Sequence, residues 1–277
     1  MIPTLTFSSP FTVYQLIVSD LDGTLLDGNH SVDAYTAQTL QSLDNLGVHL
    51  AIATGRHFLD VTGIRASLGV RAHLITSNGA RIHDPDDQPI HRSDIPPALV
   101  RQLTDPALSR GCLLNFYLDD AWLIDQPCQW ILDMHQDSGF QYQVSDLTRH
   151  SGEGVAKVLY IAEHAHLLEV EQQLHARFGD VASITFSADD CLEVMAPDVS
   201  KGNALKLILN RLGVDAADCL AFGDGQNDIE LLQVAGHPRI MGNAHPRLAT
   251  QLPSAQRIGH HRDAAVARHL RELFKLR

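Results

Sequence analysis

Two carboxylates stand two residues apart in Ser19-Asp20-Leu21-Asp22-Gly23-Thr24, directly after the apolar run Tyr14-Gln15-Leu16-Ile17-Val18. A short apolar, β-branched run reads as a buried strand. Asp27-Gly28-Asn29 beyond it is turn chemistry. In an open parallel sheet the carboxyl ends of the strands are where ligands bind. Two carboxylates about 4 Å apart repel by about 4 kcal/mol at an effective dielectric of 20. A fold that holds them there needs a cation, a shared proton or hydrogen bonds in compensation. Gly23 lets the backbone bend sharply and Thr24 adds a hydroxyl, so the stretch reads as a site rather than a solvated turn.

The chain on either side has a βαβ rhythm. A helix is expected over 31–46, started by Ser31 or Asp33 and ended by Gly47. A strand over 48–53 follows and runs into Thr54-Gly55-Arg56. A helix through Phe58, Val61, Ile64 and Leu68 comes next, then a strand at 74–76 closed by Ser77-Asn78-Gly79. Such an order implies a parallel sheet with right-handed crossovers. From about 85 to 195 strands come in pairs: a hairpin at 81–83 and 89–91, then strands at 113–117, 122–124, 141–144, 155–162, 184–187 and 191–195. Helices are expected there at 129–138 and 165–178. After Pro197 the first rhythm returns, with a helix at 200–212, a strand at 219–222, a helix at 229–234, a strand at 239–241 and a final helix from Ala264. The expected architecture is therefore α/β: a doubly wound, mainly parallel, Rossmann-like core over 1–84 plus 196–277. An α+β domain over 85–195 is inserted into it.

The 277 residues are 44% hydrophobic, enough for cores of this size. A net charge of −12 without a basic stripe excludes a nucleic-acid scaffold, and an anionic substrate would need a local cation. Cys112, Cys128, Cys191 and Cys219 have no CxxC spacing and are expected as reduced core residues. Residues 1–10 carry neither a basic leader nor a sustained apolar run, so no signal peptide or membrane span is expected. Residues 1–13 read as a ragged extension of unknown role, and the protein as soluble and cytoplasmic.

Four segments place polar residues at strand ends or helix starts. They are Asp20-x-Asp22, Thr54-Gly55, Lys201-Gly202 and Gly223-Asp224-x-x-Asn227-Asp228. The Thr54 hydroxyl and neighbouring N–H groups could hold phosphate oxygens, with a plain helix cap as the alternative. Lys201 opens a helix, the end at which the dipole disfavours a cation. Together the residues offer carboxylates, a lysine, a hydroxyl and backbone donors. Hard oxygen ligands of this kind suit Mg²⁺ bridging to a phosphate.

Asp20-Leu21-Asp22-Gly23-Thr24, Thr54-Gly55-Arg56, Lys201 and Gly223–Asp228 resemble, in order and spacing, the four motifs of the haloacid dehalogenase-like superfamily. The insertion resembles the larger α/β cap of its Cof-type phosphatase branch, as do Ala53–Arg56, Ser77-Asn78-Gly79-Ala80 and Met241-Gly242-Asn243-Ala244. Within that branch, 53–57, 186–197 and 221–228 look closest to phosphatases of hydroxymethylpyrimidine diphosphate. The resemblance implies Asp20 as nucleophile, forming an aspartyl-phosphate, and Asp22 as general acid and then base. Thr54 and Gly55 would hold the phosphoryl group, and Lys201 would neutralise it. Mg²⁺ would be bound by Asp20, Asp224 and the main-chain carbonyl of Asp22, with Asn227 and Asp228 in support. Arg56 and Asn243 are further candidates for touching substrate or phosphate, weighed against surface and turn roles. In the insertion Asn115, Tyr117, Trp122 and Lys157 are candidates only against ordinary strand packing. The implied partner is a small phosphorylated metabolite, with no nucleic acid and no membrane; the oligomeric state is not legible. A sugar-phosphate or broad-specificity phosphatase, a phosphomutase, and a receiver that stores a phospho-aspartate are the alternatives.

Overall fold

A computed structural model describes residues 14–135 and 138–276. The extension expected over 1–13 lies outside the described residues. Strands β1 (Leu16–Ser19), β2 (His49–Ala53), β3 (Ala72–Thr76), β4 (Arg81–His83) and β5 (Pro89–Arg92) come before the inserted region. Within it follow β6 (Leu113–Tyr117), β7 (Trp122–Ile124), β8 (Gln143–Val144), β9 (Lys157–Ile161), β10 (Ser183–Ala188) and β11 (Cys191–Met195). The chain then returns through β12 (Cys219–Gly223), β13 (His237–Ile240) and β14 (Gln256–Arg257).

The first sheet has the order β14-β13-β12-β1-β2-β3-β4-β5. Its members from β14 to β3 pair in parallel, and the β4–β5 hairpin adds an antiparallel edge. Alternate residues of each central strand bury on opposite faces, which is why the strands read as unbroken apolar runs. Leu16, Val18, Ala51, Ala53, Cys219 and Ala221 pack with helices Lys201–Leu212 and Ile229–Val234. Ile17, Leu50, Ile52, Leu220 and Phe222 pack with helices Ala34–Asn45, Phe58–Leu68 and Ala265–Phe274. The chain runs outward from β1 through β2 to β3, then returns on the other side at β12. That reversal makes the β1/β12 gap a topological switch point.

The second sheet has the order β10-β11-β9-β6-β7-β8 and is antiparallel except for β7 with β8. One face packs helix His164–Phe178 and the short helices Pro97–Leu103 and Pro106–Ser109. The other carries Tyr117, Trp122, Ile124 and Leu159. This is the expected doubly wound α/β core with a second, α+β layer pair.

Some boundaries move for physical reasons. The first helix starts at Ala34 because Asp33 caps it, its carboxylate accepting the Thr36 N–H at 2.9 Å. The helix expected over 129–138 is helical over Gln129–Met134, while residues 136–137 lie outside the described residues. Helices Pro97–Leu103, Pro106–Ser109 and Pro246–Gln251 were not anticipated, although each has proline at its first turn. Proline there is a start signal, because its missing N–H would have no intrahelical partner anyway. Among the described residues no helix is long and apolar enough to cross a membrane.

Candidate active site

Sheet register brings the distant segments together. Ser19 is level with Phe222 on one side and Ile52 on the other, so Asp20 leaves the sheet beside Gly223-Asp224 and Ala53-Thr54. The Asp20 N–H donates to the Phe222 carbonyl at 3.0 Å, pinning the strand end. Gly23 turns the chain with φ +76°, and a Cβ there would collide with the Asp224 carboxylate. Only glycine accommodates both the conformation and the approach.

Lys201 lies buried at the first turn of its helix. Its Nζ donates to Asp20 Oδ1 at 2.7 Å and to Asp228 Oδ1 at 2.6 Å. Burial alone would lower its pKa, but Asp20 and Asp228 outweigh burial and hold the ammonium above its ordinary value. The two carboxylates therefore explain a cation at the unfavourable end of a helix. Asp228 Oδ2 accepts the N–H groups of Asp224 and Gly225, both at 2.9 Å, and so braces the loop between them.

Asp20 is pushed well above the ordinary carboxylate range by burial and then by Asp228, with Lys201 opposing. Burial and Asp228 push Asp224 up to about 7, against the hydrogen bond that Thr24 Oγ1 donates to its Oδ1 at 2.8 Å. Asn243 Nδ2 donates to the Gly23 carbonyl at 2.8 Å and to Asp224 Oδ2 at 3.2 Å. Asn243 thus fixes a carboxylate rather than presenting a free amide. Oxygens of Asp20, Asp224 and Asp228 lie within 4.8 Å of one another. Three carboxylates against one ammonium leave excess negative charge, so the oxygen donor set fits a hard divalent cation.

The Asp22 carboxylate is not in that group. It is 39% exposed and turned toward Arg56, whose Nε and Nη2 donate to it at 2.7 and 2.6 Å. His30 Nδ1 lies 3.3 Å away. Partial burial would raise its pKa, but His30 and Arg56 hold it well below the ordinary range. Arg56 also reaches Asp60 at 3.2 Å. A cleft of about 560 Å³ opens beside this arrangement, lined by His30, Arg56, Asp60, His135 and Ser138 among others. A second cleft, about 370 Å³, reaches Asp224 between Phe186–Asp189 and the loop 243–246. Both are of small-molecule size.

Thr54 is buried and does not cap the following helix. His57 does, its Nδ1 accepting the Leu59 N–H at 3.1 Å. The Thr54 Oγ1 accepts the Arg56 N–H at 3.1 Å, which leaves the hydroxyl proton available to a ligand. His57 also donates from Nε2 to the Leu118 carbonyl of the inserted region and stacks on Phe140. Burial pushes its pKa down to about 4, from 6.5 in the open chain. Between those values the unfolded state binds the extra proton. Stability held through neutral His57 is complete above about 6.5 and is lost as the pH falls toward 4, on the order of 3 kcal/mol. His57→Gln should therefore narrow its stability gap to the parent between pH 7 and 4.5 in urea unfolding. A gap that does not change with pH would refute this.

Thr24 and Lys157, both weighed from the sequence, join the site's surroundings, Thr24 on Asp224 and Lys157 on the Gly55 carbonyl rather than in open strand packing. His30, Asn78 and Glu193 join them only once the sheets are assembled.

The comparisons with known proteins agree with this geometry. A model of the haloacid dehalogenase-like hydrolase family matches residues 17–270. A protein of Cronobacter sakazakii named HMP-PP phosphatase is 41% identical over 251 residues, covering 91% of this chain and 92% of its own. One of the same name from Yersinia pestis is 38% identical over 258 residues, covering 93% and 94%. A solved haloacid dehalogenase-like hydrolase of B. subtilis superimposes with a TM-score of 0.84 at 24% identity, over 94% of this chain and 99% of that one. The match spans both sheets and every segment that feeds the acidic cluster, and the chain belongs to the haloacid dehalogenase-like hydrolase family.

Proposed function

We propose that this protein is a Mg²⁺-dependent phosphatase acting on a small phosphorylated metabolite, with hydroxymethylpyrimidine diphosphate as the leading substrate. One observation carries the reading: Lys201 is buried between Asp20 and Asp228, with Asp224 alongside. That is fixed charge arranged for an anion that arrives with a cation. The relatives named HMP-PP phosphatase support the choice of substrate.

Asp20, Asp224 and the Asp22 carbonyl would hold the metal, which when bound polarises the phosphoryl oxygens and offsets the carboxylate charge. An Asp20 oxygen attacks phosphorus in line, and the bond from phosphorus to the leaving oxygen breaks. Lys201 favours the ionised form of Asp20 against burial and orients it, while the Thr54 hydroxyl and the Gly55 turn hold the phosphoryl oxygens. Asp22 gives its proton to the leaving oxygen and later takes one from the attacking water. Water then adds to phosphorus and the bond to Asp20 breaks, releasing inorganic phosphate. A carboxylate paired with Arg56 is a poor acid, so Asp22 must leave that partner to act.

The same reading divides the chain into a core of 1–84 plus 196–277 and an inserted cap of 85–195. Pairing of β5 with β4 supports moving the first boundary past residue 92. We also place the protein in the cytoplasm, a location supported by four free thiols among the described residues.

Phosphate release from a panel holding hydroxymethylpyrimidine diphosphate, sugar phosphates and an aryl phosphate tests the function. Release is expected to vanish on chelation and return with Mg²⁺, with the pyrimidine diphosphate turned over fastest. Mg²⁺ at 100 times its dissociation constant should stabilise the fold by about 2.7 kcal/mol. Turnover that survives exhaustive chelation would refute the metal, and a panel with no turnover would refute the phosphatase.

A further inference from the structure

We propose that Lys157 and Glu193 are a positioning pair that sets the Thr54 turn and the Asp224–Asp228 loop from the second sheet. The proposal rests on the phosphatase reading above. Both residues are buried, on neighbouring strands β9 and β11. Lys157 Nζ donates to Glu193 Oε1 at 2.6 Å and, across to the first sheet's side, to the Gly55 carbonyl at 2.6 Å. Glu193 Oε1 also accepts Ser187 Oγ at 2.9 Å, and its Oε2 accepts Asn78 Nδ2.

The Gly55 carbonyl and the Arg56 N–H belong to one peptide group. Lys157 therefore grips one end of that peptide while the other end donates to Thr54 Oγ1 at 3.1 Å. Tilting the peptide would move the Thr54 hydroxyl and the Arg56 backbone, and Arg56 holds Asp22. On the Glu193 side, the Asn78 N–H donates to the Thr54 carbonyl at 3.0 Å, and Asn78 Oδ1 accepts Asn227 Nδ2 at 3.1 Å. Asn227 lies between Asp224 and Asp228. Ser77 and Asn78 both sit at positive φ, +47° and +56°, an uncommon conformation for two consecutive non-glycine residues. The turn that aims Asn78 between Glu193 and Asn227 is thus held by its surroundings.

The packing of the second sheet does not itself call for these charges. The face around them carries Trp122 and Leu159, with the Tyr117 ring centroid 4.7 Å from Lys157 Nζ and the Ser187 hydroxyl on Glu193 as the second sheet's own contacts to the pair. Well-packed apolar residues in place of a buried ion pair are often neutral or stabilising. What such residues cannot do is bond Gly55 and Asn78.

Three full-length proteins test the pair: the parent, K157M/E193L and N78A. The readouts are melting temperature, kcat and KM on an aryl phosphate with Mg²⁺, and hydrogen exchange over 54–57 and 226–228. The double variant is expected to fold but to melt below the parent: both charges leave together, while the Gly55 carbonyl and the Asn78 amide each lose a buried partner. Its kcat should fall about 10- to 100-fold with KM changed far less, as expected for misplaced catalytic groups. Exchange in both segments should quicken severalfold. N78A, which leaves the ion pair intact, should quicken exchange over 226–228. A folded double variant with parental kcat and exchange would overturn the proposal. Should that variant not fold, unchanged exchange over 226–228 in N78A would overturn it instead. A parent that releases no phosphate would refute the phosphatase reading, and the exchange results would still decide the pair.

Discussion

Asp20→Asn is expected to abolish phosphate release, by roughly four orders of magnitude or more, while leaving the fold at least as stable as the parent. The first half follows from chemistry. An amide cannot form the phosphoryl bond that a carboxylate oxygen forms, and removing a nucleophile costs factors of this size in other enzymes. The second half follows from this site. Folding pushes the Asp20 pKa upward, through burial first and then Asp228, so at neutral pH the ionised form costs the folded state stability. Asparagine keeps an oxygen that can accept from Lys201 and removes one charge from a crowded group. The melting temperature without metal should stay level or rise, and the extra stability conferred by Mg²⁺ should shrink. Phosphate release and calorimetry on one preparation read all three. Turnover retained by the purified variant would remove Asp20 from the nucleophile's role.

Lys201→Met is expected to have the opposite profile, losing stability as well as activity. The ammonium is buried, touches two carboxylates and faces a third acid nearby. Breaking a buried pair by removing one partner costs about 3–5 kcal/mol, because the remaining charges lie uncompensated. Urea unfolding should show that loss, and Mg²⁺ should restore part of it by supplying positive charge to the same group. Pairing the change with Asp228→Asn should also restore part, since it removes one of the stranded carboxylates. A Lys201→Met protein as stable as its parent without metal would mean that the acids are compensated by something other than this lysine.

These two variants share one contact and differ in sign, which makes their comparison informative. Removing negative charge relieves the cluster; removing positive charge strands it. A site assembled only for packing would scarcely register Asp20→Asn, which keeps the side chain's volume.

Much of this was legible from local patterns. The run before Asp20, the apolar strand before Thr54 and the run before Gly223 each announce a buried parallel strand ending in polar residues. Gly23 is needed for its conformation, and Asp33 and Ser200 cap helices through their own side chains. The change of rhythm after about 85 signals a second set of strands, although Pro89–Arg92 still pairs in the first sheet. Such signals are local because backbone geometry and helix or strand periodicity are set by near neighbours. The helices begun by Pro97, Pro106 and Pro246 carry an equally local start signal.

Partner choice was not legible. Arg56 meets Asp22 across 34 residues, Lys157 meets Gly55 across 102, and Asn78 meets Glu193 across 115. Each meeting depends on which strand lies beside which and in what register, and a shift of one residue would turn every side chain to the other face. The sequence by itself determined the strand ends, the residue types gathered at them and the family. Only the tertiary structure decided that Asp22 rests against Arg56, that Asn243 serves Asp224, and that a buried ion pair from the second sheet reaches the Thr54 turn. The reason is electrostatic: a charge is held by whatever opposite charge the assembled fold brings within about 3 Å, wherever that partner lies along the chain.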